Sequence, residues 1–153
     1  MLSKDLIKEQ LFESLGYGGR EMSRQLGQAS FDLLLRLARE FVDLDLPFIL
    51  ESAFRRQDGA LLLQVLGARD YLQVYCECEE STCLSRFRER ARSGQRHPGH
   101  ADLDAESDLL AYLEQGLFGP LALPGPLLRL DTNDFSNERH QQGYSAVIRT
   151  YGE

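Results

Sequence analysis

"LPFILESAF" (46–54) is the stretch on which the fold turns. Pro47 stops a helix from running through it, because the ring removes a backbone donor and clashes with the preceding turn. Phe48, Ile49 and Leu50 follow with no polar residue between them. A half-solvated strand would alternate, whereas a short unbroken apolar run fits a parallel strand covered on both faces. The run ends at Glu51, a carboxylate that is costly to bury without a partner.

Reading outward from that strand gives an alternating pattern. Toward the N-terminus, Met1-Leu2-Ser3 looks like the last step of a buried strand. Ile7, Leu11 and Leu15 recur at helical spacing, with Leu6 and Phe12 beside them, and predict an amphipathic helix from about Asp5 to Leu15, closed by Gly16. "GYGG" (16–19) makes a flexible connection to a longer helix, roughly Met22 to Asp43, with Leu26, Leu33, Leu37, Phe41 and Leu44 on one stripe. On the other side, a short helix from about Gly59 to Leu66 leads to "YLQVYCEC" (71–78), rich in strand formers. Ser81 to Ser93 reads as helix and "SGQRHPGHADLD" (93–104) as loop. A helix from Asp104 or Glu106 to Gly116, a strand within "GPLLRLDTND" (125–134) and a terminal helix from Asn137 to Tyr151 complete the chain. Strands alternating with helices predict an α/β fold with a mostly parallel sheet, in a single domain over residues 1–153.

Composition narrows the function. A net charge of −7 argues against a general nucleic-acid binder, whose footprint would be basic. No apolar run approaches membrane-spanning length and no secretory h-region opens the chain. Cys76, Cys78 and Cys83, an odd number in a short window, read as reduced thiols of a cytoplasmic protein. Their spacing, taken with His97 and His100, matches no structural zinc pattern, so no metal site is expected among them.

In an open parallel sheet, ligands bind beyond the carboxyl ends of the strands. Those ends carry Ser3-Lys4-Asp5, Glu51-Ser52 with Arg55 and Arg56, Cys78-Glu79-Glu80, and Asp131-Thr132-Asn133-Asp134. Asp5 and Glu51 can therefore converge on one crevice. An Asp at a helix start is also an ordinary N-cap, and Glu51 is equally open to structural pairing. "CLSRFRERARSGQRHPGH" (83–100) places Arg86 and Arg90 one turn apart, and likewise Arg88 and Arg92. One pair can face the crevice, where the planar arginine fork suits phosphate; a solvated helix face is the alternative. A phosphate-cradling G-x-x-x-x-G-K-[ST] is absent, and the only lysines, Lys4 and Lys8, follow no glycine.

Taken in order, "LSKDLIKEQLFESLG" (2–16), "PFILESAF" (47–54), "RFRERARSGQRHPGH" (86–100) and "LRLDTND" (128–134) resemble bacterial P-loop kinases. The group is that of AAA-family ATPases or predicted kinases, similar to zeta-toxin and chloramphenicol phosphotransferase proteins. Each motif alone is weakly specific; the combination is much stronger. The resemblance implies a three-layer parallel sheet of P-loop kinase type whose first, central strand and P-loop are missing. It implies an ATP- and Mg²⁺-dependent phosphotransferase acting on a small hydroxyl-bearing acceptor. Asp5 would accept the acceptor's proton, Glu51 would lie near substrate or Mg²⁺, and Arg86 and Arg90 would neutralise the transferring phosphoryl group. Arg96 and His97, with His100, belong to a lid of about residues 92–104, and Thr132 and Asn133 to the loop near adenine. Arg55 and Lys8 are expected on the acceptor. Since the phosphate cradle is missing, the chain reads as the C-terminal four-fifths of a kinase, inactive as given. The alternative is a non-catalytic remnant or interaction module, completed by a strand-donating partner or by self-association.

Overall fold

The computed structural model describes residues 1–134 and Ser145. Leu2–Ser3 (β1) runs directly into Lys4–Leu15 (α1), which is followed by Gly19–Asp43 (α2) and Leu50–Glu51 (β2). A 3-10 turn at Arg56–Asp58 enters Gly59–Leu66 (α3), and Gln73–Glu77 (β3) leads to Glu80–Ser93 (α4). Two more 3-10 turns, Pro98–His100 and Asp102–Asp104, precede Glu106–Glu114 (α5) and Leu127–Asp131 (β4). The terminal helix expected over Asn137 to Tyr151 falls outside the described residues apart from Ser145.

The fold is mixed α/β with parallel strands. Among the described residues these form two two-stranded sheets, β1 with β2 and β3 with β4. Leu2 lies opposite Leu50 and Ser3 opposite Glu51, while β3 and β4 pair from Gln73–Leu127 to Glu77–Asp131. The first ladder is short because helix geometry begins at Lys4, so β1 offers only Leu2 and Ser3 for pairing. Phe48, expected in the strand, instead turns its ring onto Phe41 of α2, centroids 5.7 Å apart.

The buried stripes differ from those the apolar pattern predicts. On α1 the covered residues are Lys8 and Phe12, while Leu6 and Leu15 are exposed. On α2 they are Ser23, Ser30, Leu34 and Ala38, and Leu33, Leu37 and Leu44 face outward. The reason is close approach. Small side chains let α1 and α3 settle against α2, and a Cβ at Gly27 would lie only 3.6 Å from the Lys8 side chain. Gly16 closes α1 with φ +84°, a left-handed conformation that glycine adopts without steric cost, and its N–H reaches the Phe12 carbonyl at 2.9 Å. Among the described residues no helix is long and apolar enough to cross a membrane.

Candidate functional site

Parallel pairing of β1 and β2 brings their carboxyl ends side by side, and the first interaction there is between the ends themselves. Ser3 occupies the N-cap position of α1, yet its hydroxyl donates to Glu51 Oε2 at 2.6 Å and caps nothing. Asp5 is likewise not a cap. It sits within the first turn, and its carboxylate pairs through Oδ2 with Nη2 of Arg96. Arg96 arrives from the loop between α4 and α5, and its Nη1 also holds both carboxylate oxygens of Asp102 at 3.1 Å. One guanidinium thus bridges the start of α1 to the loop between α4 and α5.

Beneath this bridge lies Lys8, 7% exposed. Its ammonium donates to Ser23 Oγ at 2.9 Å and stands 5.2 Å from the Phe12 ring centroid. Ser23 passes the contact on, donating to the His100 carbonyl at 3.0 Å. Burial pushes the Lys8 ammonium down to about 8, helped by the nearby charge of Lys4. Lys4 is also lowered, chiefly by burial and partly offset by Asp5. His100 is buried, with Nε2 3.0 Å from Glu9 Oε1, and burial followed by the Arg96 charge holds it below its ordinary value. His97 stacks on Phe12 at 5.0 Å, accepts from the Gly99 N–H at Nδ1 and meets Glu13 at Nε2, 2.9 Å away. With Nδ1 accepting, the proton belongs on Nε2, which donates to Glu13. That set of contacts describes a side chain that shapes the loop.

Arg55 stands on the far side of β2. Its backbone N–H bonds Asp58, and its guanidinium lies 4.5 Å from the Tyr112 ring centroid while Nη2 donates to the Tyr112 hydroxyl at 3.1 Å. Lys4 senses the charges of Asp5, Arg55, Arg96 and Asp58, so these groups share one neighbourhood. Asp5, Glu51, Arg55 and Arg96 are therefore gathered around the β1–β2 end, with Lys8 one turn further along α1, while His97 lies against Phe12 and Glu13 in the second half of that helix.

The remaining candidates lie elsewhere. Arg86 of α4 donates to the carbonyls of Thr132 and Asn133, at 2.5 and 2.9 Å, beyond the end of β4. Thr132 is also tied to the Glu77 carbonyl, and Asn133 Oδ1 accepts from the Glu79 N–H. These contacts close the β3–β4 end. Arg90 is exposed and stands 5.8 Å from the Phe87 ring. Of the arginine pair expected to face water, Arg88 binds Glu106 of α5 through Nη2 at 2.6 Å. Among the described residues no group of three or more His, Cys, Asp or Glu is placed to hold a metal ion. Ser3, Asp102 and Tyr112 join the site without having been singled out in the sequence. Asp102 had a usable signal, a carboxylate six residues after Arg96 in the same loop; Tyr112 on α5 had none.

Parallel strands alternating with helices, with carboxylates and cations collected at the strand ends, define an α/β scaffold with a charged rim. No protein-family model and no curated protein matches the sequence. Among solved structures, one described as a "putative kinase" from Chloroflexus aurantiacus J-10-fl is 29% identical, with a TM-score of 0.75, over 95% of this chain and 81% of its own. The fold is kinase-like.

Proposed function

We propose that this chain is the acceptor-activating part of a P-loop kinase, a phosphotransferase of the zeta-toxin and chloramphenicol-phosphotransferase kind. The observation that carries the reading is the pairing of β1 with β2, which sets Asp5 and Glu51 at neighbouring strand ends on a kinase-like scaffold. Asp5 is the general base for the acceptor hydroxyl. Its Oδ2 is held by Arg96, which fixes the carboxylate, and Oδ1 accepts no hydrogen bond among the described residues. A positioned carboxylate with one open oxygen can take a proton in the transition state. Arg96 is held on the Asp5 carboxylate itself, whereas Arg86 is bound to the Thr132 and Asn133 carbonyls beyond the end of β4, so in this reading Arg96 rather than Arg86 is the cation beside the acceptor hydroxyl.

ATP and Mg²⁺ would be the cofactors of such a reaction, and the residues present do not fit them. The sequence holds no phosphate-cradling loop and no lysine after a glycine, no carboxylate group is arranged for a metal among the described residues, and Thr132 and Asn133 are engaged in closing the β3–β4 end. In this proposal the nucleotide cradle is supplied from elsewhere, and the expectation for the isolated chain is little or no transfer. That same absence favours the second reading, a kinase-shaped interaction module without catalysis.

The test uses protein from its native locus, incubated with MgATP and a host metabolite extract, with phosphorylated products read by mass. The expected result is an ATP-dependent product whose formation falls about 10²- to 10⁴-fold in Asp5→Asn, with nucleotide binding unchanged. Equal loss of binding and transfer sinks the general-base role. The companion measurement is calorimetry of MgATP with the 153-residue chain, where micromolar affinity would refute a cradle located elsewhere.

A further inference from the structure

Three half-covered or buried cations lack an ion-pair partner among the described residues, and they are neighbours: Lys4 and Lys8 lie one turn apart on α1, and Lys4 senses the charge of Arg55. Lys4, Lys8 and Arg55 enter no ion pair among the described residues. Arg20, Arg69 and Arg96, also part-covered, each hold an aspartate, and Arg86 is bonded to two carbonyls. Buried charges are normally paired, because an uncompensated one loses its hydration for nothing. Of the carboxylates near the trio, Asp5 and Asp102 both pair with Arg96, Asp58 accepts from the Arg55 backbone and Glu51 accepts from the Ser3 hydroxyl.

The geometry of Arg55 indicates what is awaited. The guanidinium lies 4.5 Å from the Tyr112 ring centroid and Nη2 donates to the Tyr112 hydroxyl, while Nε and Nη1 have no partner among the described residues. An arginine fork beside an ammonium is a combination that recognises oxyanions. Lys8, with one neutral hydroxyl as its hydrogen-bond partner, adds charge from below. Three cations match a dianion better than a single carboxylate.

We propose that Lys4 and Arg55, backed by Lys8, seat a phosphate monoester carried by the acceptor, so that the substrate of this scaffold is an already phosphorylated alcohol. The inference rests on the acceptor-side reading given above. It also explains the placement of a base nearby: an acceptor held by its phosphate presents its hydroxyl to Asp5, one residue along from Lys4.

The experiment is thermal denaturation of the 153-residue chain with glycerol 3-phosphate, glycerol, glycerate or ADP, without Mg²⁺. The expected result is a saturable rise in Tm with glycerol 3-phosphate, a weaker one with glycerate and none with glycerol. Lys4→Gln and Arg55→Gln should each raise the half-saturating concentration about tenfold, Lys4→Arg should restore most of it, and Arg36→Gln on the exposed face of α2 should change nothing. Protection by ADP alone would reassign the cluster to a nucleotide and overturn the proposal. So would protection of equal size in every variant, which marks a bulk salt effect, or no protection at all. Because no nucleotide is needed, these outcomes are independent of phosphoryl transfer: the kinase reading can survive their failure, and anion binding can survive its own.

Discussion

Lys8 concentrates the residue-scale tension between stability and function. Its ammonium is buried against one hydroxyl and an aromatic face, and its proton leaves at about 8 in the folded chain against 10.5 for an ordinary lysine. Below about pH 8 both folded and unfolded chains are protonated, and folding bears the full penalty of a poorly compensated charge. Between 8 and 10.5 the unfolded chain holds more protons, so stability rises with pH across that window. Lys8→Met should therefore be more stable than the parent at pH 7, by on the order of 1 kcal/mol. Its advantage should shrink as denaturant titrations move from pH 8 toward pH 10.5, and an advantage that stays constant would remove the buried charge as its cause. The same variant should bind a phosphate monoester less well, the usual exchange of stability against function at a site. At this scale the sequence was informative about which residue types mattered and silent about their partners. Asp5 looked like a cap or a base from its position. Only the fold brings Arg96, 91 residues away, onto its carboxylate.

At the scale of elements, helix and loop identities were largely legible, because caps and turn residues act locally. Gly16 and Gly67 end their helices and Pro47 bars one, and α3 spans the expected Gly59–Leu66. What could not be read was which face each helix buries. Apolar periodicity pointed to Leu26, Leu33, Leu37, Phe41 and Leu44, but the buried line of α2 runs through Ser23, Ser30, Leu34 and Ala38, mostly small residues that let a neighbour come near. The contact between α1 and the 3-10 turn at Pro98–His100 has the same character. A Cβ at Gly99 would fall 2.6 Å from the Phe12 ring, and Phe12 is 1% exposed. Neither side can yield: Phe12 is also bounded by His97, His100 and Tyr17. Gly99→Ala should lower stability by about 1–3 kcal/mol and detach the loop that carries Arg96. Chemical denaturation gives the first quantity. The second appears as weakened phosphate-monoester protection despite intact Lys4 and Arg55, and a variant as stable as the parent would mean that the loop is not clamped by Phe12.

The whole molecule carries an imbalance that neither residues nor elements reveal singly. Two-stranded units are marginal on their own and need a third strand or a covering layer, yet here the strands remain as two separate pairs among the described residues. Register places Val74 and Cys76 of β3 on the same face as Leu128 and Leu130 of β4. Val74 is nevertheless 43% exposed, and Ile49, beside β2, is 66% exposed. Apolar sheet surface and unpaired strand edges left open in this way are templates for association. The alternation of strand and helix made the α/β class readable from sequence. That the strands form two separate pairs among the described residues, rather than the single sheet expected, was not, since pairing depends on backbone partners that no side-chain pattern encodes. The expected consequence is self-association: in sedimentation equilibrium the weight-average mass should climb above 17.4 kDa as concentration rises. Val74→Lys, which puts a solvated charge on the open face, should return it toward the monomer without unfolding the chain, because exposed edge lysines block pairing while tolerating the strand. A mass fixed at the monomer value in the parent would show that these surfaces do not attract one another. Climbing masses in both proteins would place the association away from β3, leaving the β1–β2 edge as the surface to charge next.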